Sequence, residues 1–169
     1  MSDIPGPPTG HVRQAADRRE LVIERTFAAP VEDVWASLTE PERVARWYGT
    51  MEGEPGPGRT IMVTMTAEVD AAPEPATIRK CEPPRRVVLD LGGEAMAWRV
   101  AVDLEERDGR TVLTFVQALA DDVDVADVGP GWEYYADRLT AALTGRPMPD
   151  WEADGYLARL GPHYAPSPD

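Results

Sequence analysis

Apolar residues recur at every second position through much of the chain, and at every third or fourth in a few shorter stretches. "ELVIERTF", residues 20–27, alternates, with Leu21, Ile23 and, by spacing, Arg25 on one side and Val22 on the other. That pattern predicts a strand. Pro30 suits a first helical position, and Val31, Val34, Trp35 and Leu38 follow at helical spacing. "TEPERVARW" restarts the helical pattern, with Thr39 as its N-cap, Pro41 early, and Val44 and Trp47 on one face. The period then returns to two. "RTIMVTMTAEV" (59–69), "PATIRKCE" (75–82), "RVVLDLGG" (86–93), "AMAWRVAVDLEE" (95–106) and "RTVLTFVQAL" (110–119) all read as strands. Turn-forming segments separate them, and Asp108-Gly109 between two alternating runs is the strongest hairpin signal. Short turns between successive strands imply an antiparallel meander.

The last third is helical. In "DVADVGPGWEYYADRLTAALTG", Val128, Trp132, Tyr135, Leu139, Ala142 and Leu143 form one stripe, which Gly145 and Pro147 end. "DWEADGYLARLGPHYA" adds a short helical tail. The elements predict an α+β fold: a curved six-stranded antiparallel sheet around a long C-terminal helix, in the order β-α-α-β-β-β-β-β-α. Residues 1–19 read as a flexible lead with a short extended piece at "HVRQ", 20–146 as the domain, and 147–169 as a tail that covers the fold or mediates self-association. One helix cannot fill a deep concave sheet, so the arrangement predicts a pocket between them.

Composition narrows the function. A formal net charge of −13 argues against nucleic-acid and anionic-membrane partners. No apolar run reaches the roughly 20 residues of a membrane span, and the N-terminal segment lacks signal-peptide features, so a cytoplasmic protein is expected. The only histidines, His11 and His163, lie in the terminal segments, where solvated side chains are expected. A histidine-dependent triad or metal site would have to borrow from a tail. Cys81, the single cysteine, is expected on the outer layer or at an edge, without a base to activate it. The aspartates of "ADDVDVAD" lack the glycine and terminal glutamate of a calcium loop and suit the positive end of the following helix. No catalytic residue, metal or cofactor is assigned.

"ERTFAAPVEDVWASLTEPERVARWYG", "CEPPRRVVLDL", "VAVDLEERDGRTVLTFVQ" and "GWEYYADRLTAALTG" fall in the order found in the START-like, or helix-grip, superfamily, which includes the Bet v 1 plant allergens and polyketide cyclases. The chain most resembles the bacterial branch named after the activator of heat-shock-protein-90 ATPase, over about residues 20–146. The resemblance implies the helix-grip fold and puts Trp47 and Tyr48 at a cavity rim. It also puts Lys80, Leu91 and Gln117 at pocket-side positions, where relatives commonly carry glutamate, tryptophan and histidine.

Strand alternation groups Val87, Leu89 and Leu91, then Val100, Val102 and Leu104, then Leu113, Phe115 and Gln117. Arg86, Asp90, Arg99 and Asp103 fall on the opposite faces as cross-strand charge pairs. The pocket-lining candidates are Trp47, Tyr48, Met65, Lys80, Leu89, Leu91, Val100, Val102, Phe115, Gln117, Trp132, Tyr135 and Leu139. The expected partner is a small apolar or aromatic molecule, bound by a monomer or homodimer. The alternatives are a cyclase- or aromatase-like enzyme using Lys80, Glu68, Tyr135 or Gln117, and a cochaperone-like module acting through its surface. No motif supports a chaperone partner.

Overall fold

The computed structural model describes residues 8–93 and 98–165. Its strands are β1 Gly10–Gln14, β2 Arg19–Phe27, β3 Thr50–Glu52, β4 Thr60–Thr64, β5 Glu74–Glu82, β6 Arg86–Leu91, β7 Trp98–Arg107 and β8 Arg110–Leu119. The helices are α1 Val31–Thr39, α2 Pro41–Val44, α3 Val125–Thr144 and α4 Tyr156–Tyr164. All strand pairs are antiparallel, in the order β1-β2-β8-β7-β6-β5-β4-β3. The sheet therefore has eight strands where periodicity predicts six. β1 is the "HVRQ" piece, paired to β2 with Val12 opposite Leu21. β3 has three residues, too few for a period to show. Residues 95–97 of the expected 95–106 strand lie outside the described residues.

Two local irregularities decide which side chains face inward. The expected 59–69 strand stops at Thr64, because a turn forms in which the Glu68 N–H donates to the Met65 carbonyl at 3.0 Å. In β5 the pairing steps from Ile78 opposite Leu89 to Lys80 opposite Val88, which is a β-bulge. The extra residue leaves Arg79 and Lys80 both exposed and turns Cys81 to the other face.

α1 and α2 carry the chain from β2, next to one edge of the sheet, to β3 at the opposite edge. The N-cap of α2 is Glu40 and not Thr39, whose hydroxyl instead donates to the Trp35 carbonyl at 2.9 Å. α3 begins where Asp124 accepts from the Ala126 N–H at 3.0 Å and ends at Gly145, whose φ of 71° needs a residue without a Cβ penalty. The tail covers the long helix: Tyr156 and Leu160 of α4 join Tyr134 and Tyr135 of α3, and Trp151 stacks on Tyr156 with ring centroids 5.6 Å apart.

The buried apolar residues fall into four clusters, bridged by the half-buried rings of Phe115, Trp47, Trp132 and Tyr48. Phe27, Val34, Leu113 and Leu139 form one buried cluster, and Leu21, Ile23, Leu119 and Val125 a second. Tyr134, Tyr135, Tyr156 and Leu160 form a third, with Ile61, Val63 and Ala76 as a fourth. Small domains usually condense around a single contiguous core. Here the clusters surround a space.

The outer face of the sheet is a charge ladder, as alternation predicts. Arg86 Nη1 donates to both Asp103 carboxylate oxygens at 2.8 and 2.7 Å, Arg99 Nε donates to Asp90 Oδ1 at 2.8 Å, and Arg79 Nε donates to Asp90 Oδ2. The hydrogen bond from Arg99, with Arg79 and both cationic charges adding and burial opposing, lowers the Asp90 carboxyl from 3.8 to about 2. A depressed carboxyl contributes stability above its unfolded pKa and loses it as pH falls toward the folded value. The stability difference between wild type and Asp90→Asn should thus be constant above about pH 5 and shrink as pH falls from 3.8 to about 2, as urea titrations at successive pH values would show. Both arginines are half exposed, so the plateau should be small. Core packing gives a larger effect. Leu21→Ala, at a fully buried position, should cost about 2–5 kcal/mol, against about 0.5 kcal/mol or less for Leu157→Ala at 48% exposure, by chemical denaturation.

Candidate functional site

Between the sheet and α3 lies a cavity of about 380 Å³, within the size range of small-molecule pockets. β4 to β8 supply Ile61, Val63, Ala76, Ile78, Cys81, Val87, Leu89, Leu91, Val100, Val102, Leu113 and Phe115 to its wall. β2 adds Ile23, Arg25 and Phe27, and α3 adds Trp132, Tyr135, Ala136 and Leu139. The wall is completed by Trp35, Leu38 and Thr39 of α1, Val44 of α2, Trp47 and Tyr48 just beyond it, and Met51, Pro55 and Gly56 around β3. Of these, Pro55 is exposed and Trp35, Leu38, Thr39, Gly56 and Cys81 are half-buried, whereas Ile23, Val100, Tyr135 and Leu139 are buried. Arg25 is the one charged side chain among the described lining residues.

The expected pocket residues divide as follows. Trp47, Tyr48, Leu89, Leu91, Val100, Val102, Phe115, Trp132, Tyr135 and Leu139 lie on the cavity wall. Met65, Lys80 and Gln117 do not. Met65 follows the turn that ends β4 and packs against the tyrosine cluster of α3 and α4. Lys80 is thrown outward by the bulge and pairs with Glu82 at 3.2 Å, so it meets neither Glu68 nor a ligand. Cys81 takes the inward place instead, where desolvation by burial pushes its thiol up. Gln117 is fully buried behind Trp132, whose Nε1–H donates to Gln117 Oε1 at 2.6 Å. Because an indole only donates, this bond fixes the amide orientation. The Gln117 Nε2 group is left without a partner among the described residues.

Several wall residues had a visible signal. Val87 and Leu113 lie two positions from Leu89 and Phe115 on the same strands. Trp35, on the apolar face of α1, reads as core from its spacing and both packs there and reaches the cavity. Met51, Pro55 and Gly56 carry no periodic signal.

Most polar tips on the wall are turned into the protein. Trp47 Nε1–H donates to the Ser37 carbonyl at 2.7 Å, and Tyr135 O–H donates to Glu68 Oε1 at 2.8 Å. Desolvation by burial, then the hydrogen bond to Glu68 and its charge, pushes the Tyr135 phenol well above its ordinary range. Tyr48 is raised too, by desolvation and then by the charges of Glu74 and Glu68. Both phenols stay neutral at physiological pH. Their rings touch, with centroids 5.3 Å apart, and Tyr48 lies equally close to Trp47. Arg138 of α3 holds this corner by donating from Nε to the Trp47 carbonyl at 2.7 Å.

At the side of α3, Arg25 joins a buried polar knot. Its Nε donates to Thr9 Oγ1 at 2.9 Å, its Nη1 to Asp137 Oδ1 at 2.6 Å, and its Nη2 lies 3.7 Å from Glu133. Glu133 also accepts from the Thr9 N–H and hydroxyl, and Asp137 accepts from the Tyr156 O–H at 2.7 Å. Among the described residues, no three His, Cys, Asp or Glu side chains converge to hold a metal. No helix among them is long and apolar enough to cross a membrane.

Comparison with known proteins places this geometry in a family. The family model described as "Activator of Hsp90 ATPase homolog 1-like protein" matches residues 28–144. No curated protein matches the sequence. Among solved structures, CalU16 from Micromonospora echinospora shares 24% identity over 92% of each chain, with a TM-score of 0.72. A protein from Bordetella parapertussis shares 25% identity over 99% of this chain and 100% of its own, with a TM-score of 0.69. DynU16, from the dynemicin biosynthetic locus, shares 25% identity over 76% of this chain and 49% of that one, with a TM-score of 0.68. The matched span exceeds half the chain and runs from α1 through α3, taking in every element that encloses the cavity except β2, which ends just before it. The chain belongs to the family of activator of Hsp90 ATPase homolog 1-like proteins.

Proposed function

We propose that the protein binds a small, mainly apolar or aromatic molecule in the cavity between the sheet and α3. The observation that carries this reading is the cavity itself: about 380 Å³ walled by aliphatic and aromatic side chains, with four hydrophobic clusters arranged around it instead of a filled core. Unfilled apolar volume forfeits packing contacts that neighbouring side chains would otherwise make. A bound apolar molecule restores them. The setting of DynU16 in a biosynthetic locus agrees with a small-molecule role.

A second reading, a cyclase-like enzyme, draws on one observation: the Tyr135–Glu68 hydrogen bond places an acid-base pair beside the wall. Its reactive proton is committed to Glu68, and Lys80, another candidate for that reading, is outside. The family's name would suggest a chaperone partner. No sequence motif supports one.

Thermal unfolding against a library of apolar and aromatic compounds tests the binding reading. A ligand that binds only the folded state stabilises it by roughly 2.7 kcal/mol at a hundredfold excess over its dissociation constant. A reproducible rise in Tm that Trp47→Ala or Leu89→Ala diminishes is the expected outcome. No rise across a diverse library overturns it. The same assay should show an alkaline limit. The phenols of Tyr48, Tyr135, Tyr156 and Tyr164 are all raised, first by desolvation. Groups raised in the folded state contribute stability below their unfolded pKa, about 10 for tyrosine, and lose it above. Tm should therefore fall as pH rises past about 10, with phenolate absorbance appearing together with unfolding.

A further inference from the structure

The cavity wall carries eight side chains able to donate a hydrogen bond: Arg25, Trp35, Thr39, Trp47, Tyr48, Cys81, Trp132 and Tyr135. Five are already committed. Arg25 donates to Thr9 and Asp137, Thr39 to the Trp35 carbonyl, Trp47 to the Ser37 carbonyl, Trp132 to Gln117, and Tyr135 to Glu68. The Cys81 thiol is a weak donor. Two strong donors remain without a hydrogen bond to a described residue: the Trp35 indole N–H and the Tyr48 hydroxyl.

Tyr48 is the better placed of the two. Its ring is clamped between Trp47 and Tyr135, both at 5.3 Å, and lies against the Ile61, Val63 and Ala76 floor, so the hydroxyl is held in position. A donor fixed in advance loses little conformational freedom on engaging a ligand. The same hydroxyl feels the carboxylates of Glu74 and Glu68, which oppose its ionisation. Negative charge there disfavours an incoming carboxylate or phenolate but still permits a neutral oxygen.

We propose that Tyr48 determines the specificity of the cavity, its O–H donating to one uncharged acceptor, a carbonyl-type oxygen, on a ligand whose remainder is apolar. The inference rests on the binding reading above and narrows it. The aliphatic wall takes the apolar body, and the Tyr48 corner sets which end enters. A neutral hydrogen bond of this kind is worth about three- to tenfold in affinity.

The test uses three probes of one three-ring shape: fluorene, without an acceptor; 9-fluorenone, with a ketone; and fluorene-9-carboxylate, an anion. Binding to the full chain is read from tryptophan fluorescence. Wild type should prefer fluorenone to fluorene by about three- to tenfold and bind the carboxylate most weakly. In Tyr48→Phe the fluorenone-to-fluorene preference should vanish or invert, since the ketone then enters an apolar corner unpaired. Trp35→Phe should keep the preference. Fluorene affinity within each variant shows that its cavity is intact, so a folding defect cannot imitate the result. Equal wild-type affinity for fluorene and fluorenone overturns this inference and leaves the cavity reading standing. A preference that survives Tyr48→Phe, or that Trp35→Phe removes, or tightest binding of the carboxylate, overturns it in the same way. No saturable binding of any probe, with no hit in the thermal library, overturns both.

Discussion

A guanidinium keeps its charge wherever the fold places it, so Arg25, only 14% exposed at the edge of an apolar cavity, must bring its own partners. Four parts of the chain meet there. β2 supplies the guanidinium, α3 supplies Glu133 and Asp137, the segment before β1 supplies Thr9, and α4 reaches the same knot through Tyr156. Removing one partner of a buried charge network leaves the others uncompensated, which is far costlier than never burying them. The knot therefore fixes how far α3 stands from β2, and that separation helps set the width of the cavity. It also accounts for the tail: α4 is tied to the long helix through both the knot and the tyrosine cluster.

With α3 held on one side, its other face can present rings to the cavity without filling it. Trp132, Tyr135 and the nearby Trp47 each turn a polar tip into the protein, toward Gln117, Glu68 and the Ser37 carbonyl. The wall is mostly apolar because most of its donors are spent, not because it lacks them. Each bond also locks a ring in one orientation, so the surface offered to a ligand is rigid. Rigidity of this kind reduces the entropy lost on binding. It comes at a cost that Gln117 makes visible, since its Nε2 remains buried without a described partner.

Periodicity made the fold legible because period-two and helical spacing follow directly from which face meets the core. Leu89, Leu91, Val100, Val102 and Phe115 could be placed on the wall from alternation alone, and the Trp132, Tyr135 and Leu139 stripe from helical spacing. The residues that escaped did so where one inserted residue or one turn resets the count. The bulge between Ile78 and Lys80 exchanges Lys80 for Cys81, and the turn at Met65 removes it from the strand. Gln117 had the right face, but Trp132 covers it. The Arg25 knot could not be read at all, because its hydrogen-bonded members lie up to 124 positions apart in the chain. Local pattern reports a face; it does not report which distant side chain arrives there.

Charge and cavity then work in one direction. The formal net charge of −13 surrounds an interior whose lining has a single cation, and that cation is bonded to a carboxylate and close to a second. An anion approaching this protein meets a repulsive field over roughly a Debye length, about 8–10 Å at physiological salt. It would then have to shed its hydration shell in a wall with no unspent positive charge to compensate it. A cation meets an attractive surface but faces the same desolvation penalty inside. A neutral apolar molecule escapes both terms, and it gains most where aromatic faces are already fixed. The outer acidic layer and the spent donors thus act at different distances, and both favour the entry of uncharged ligands.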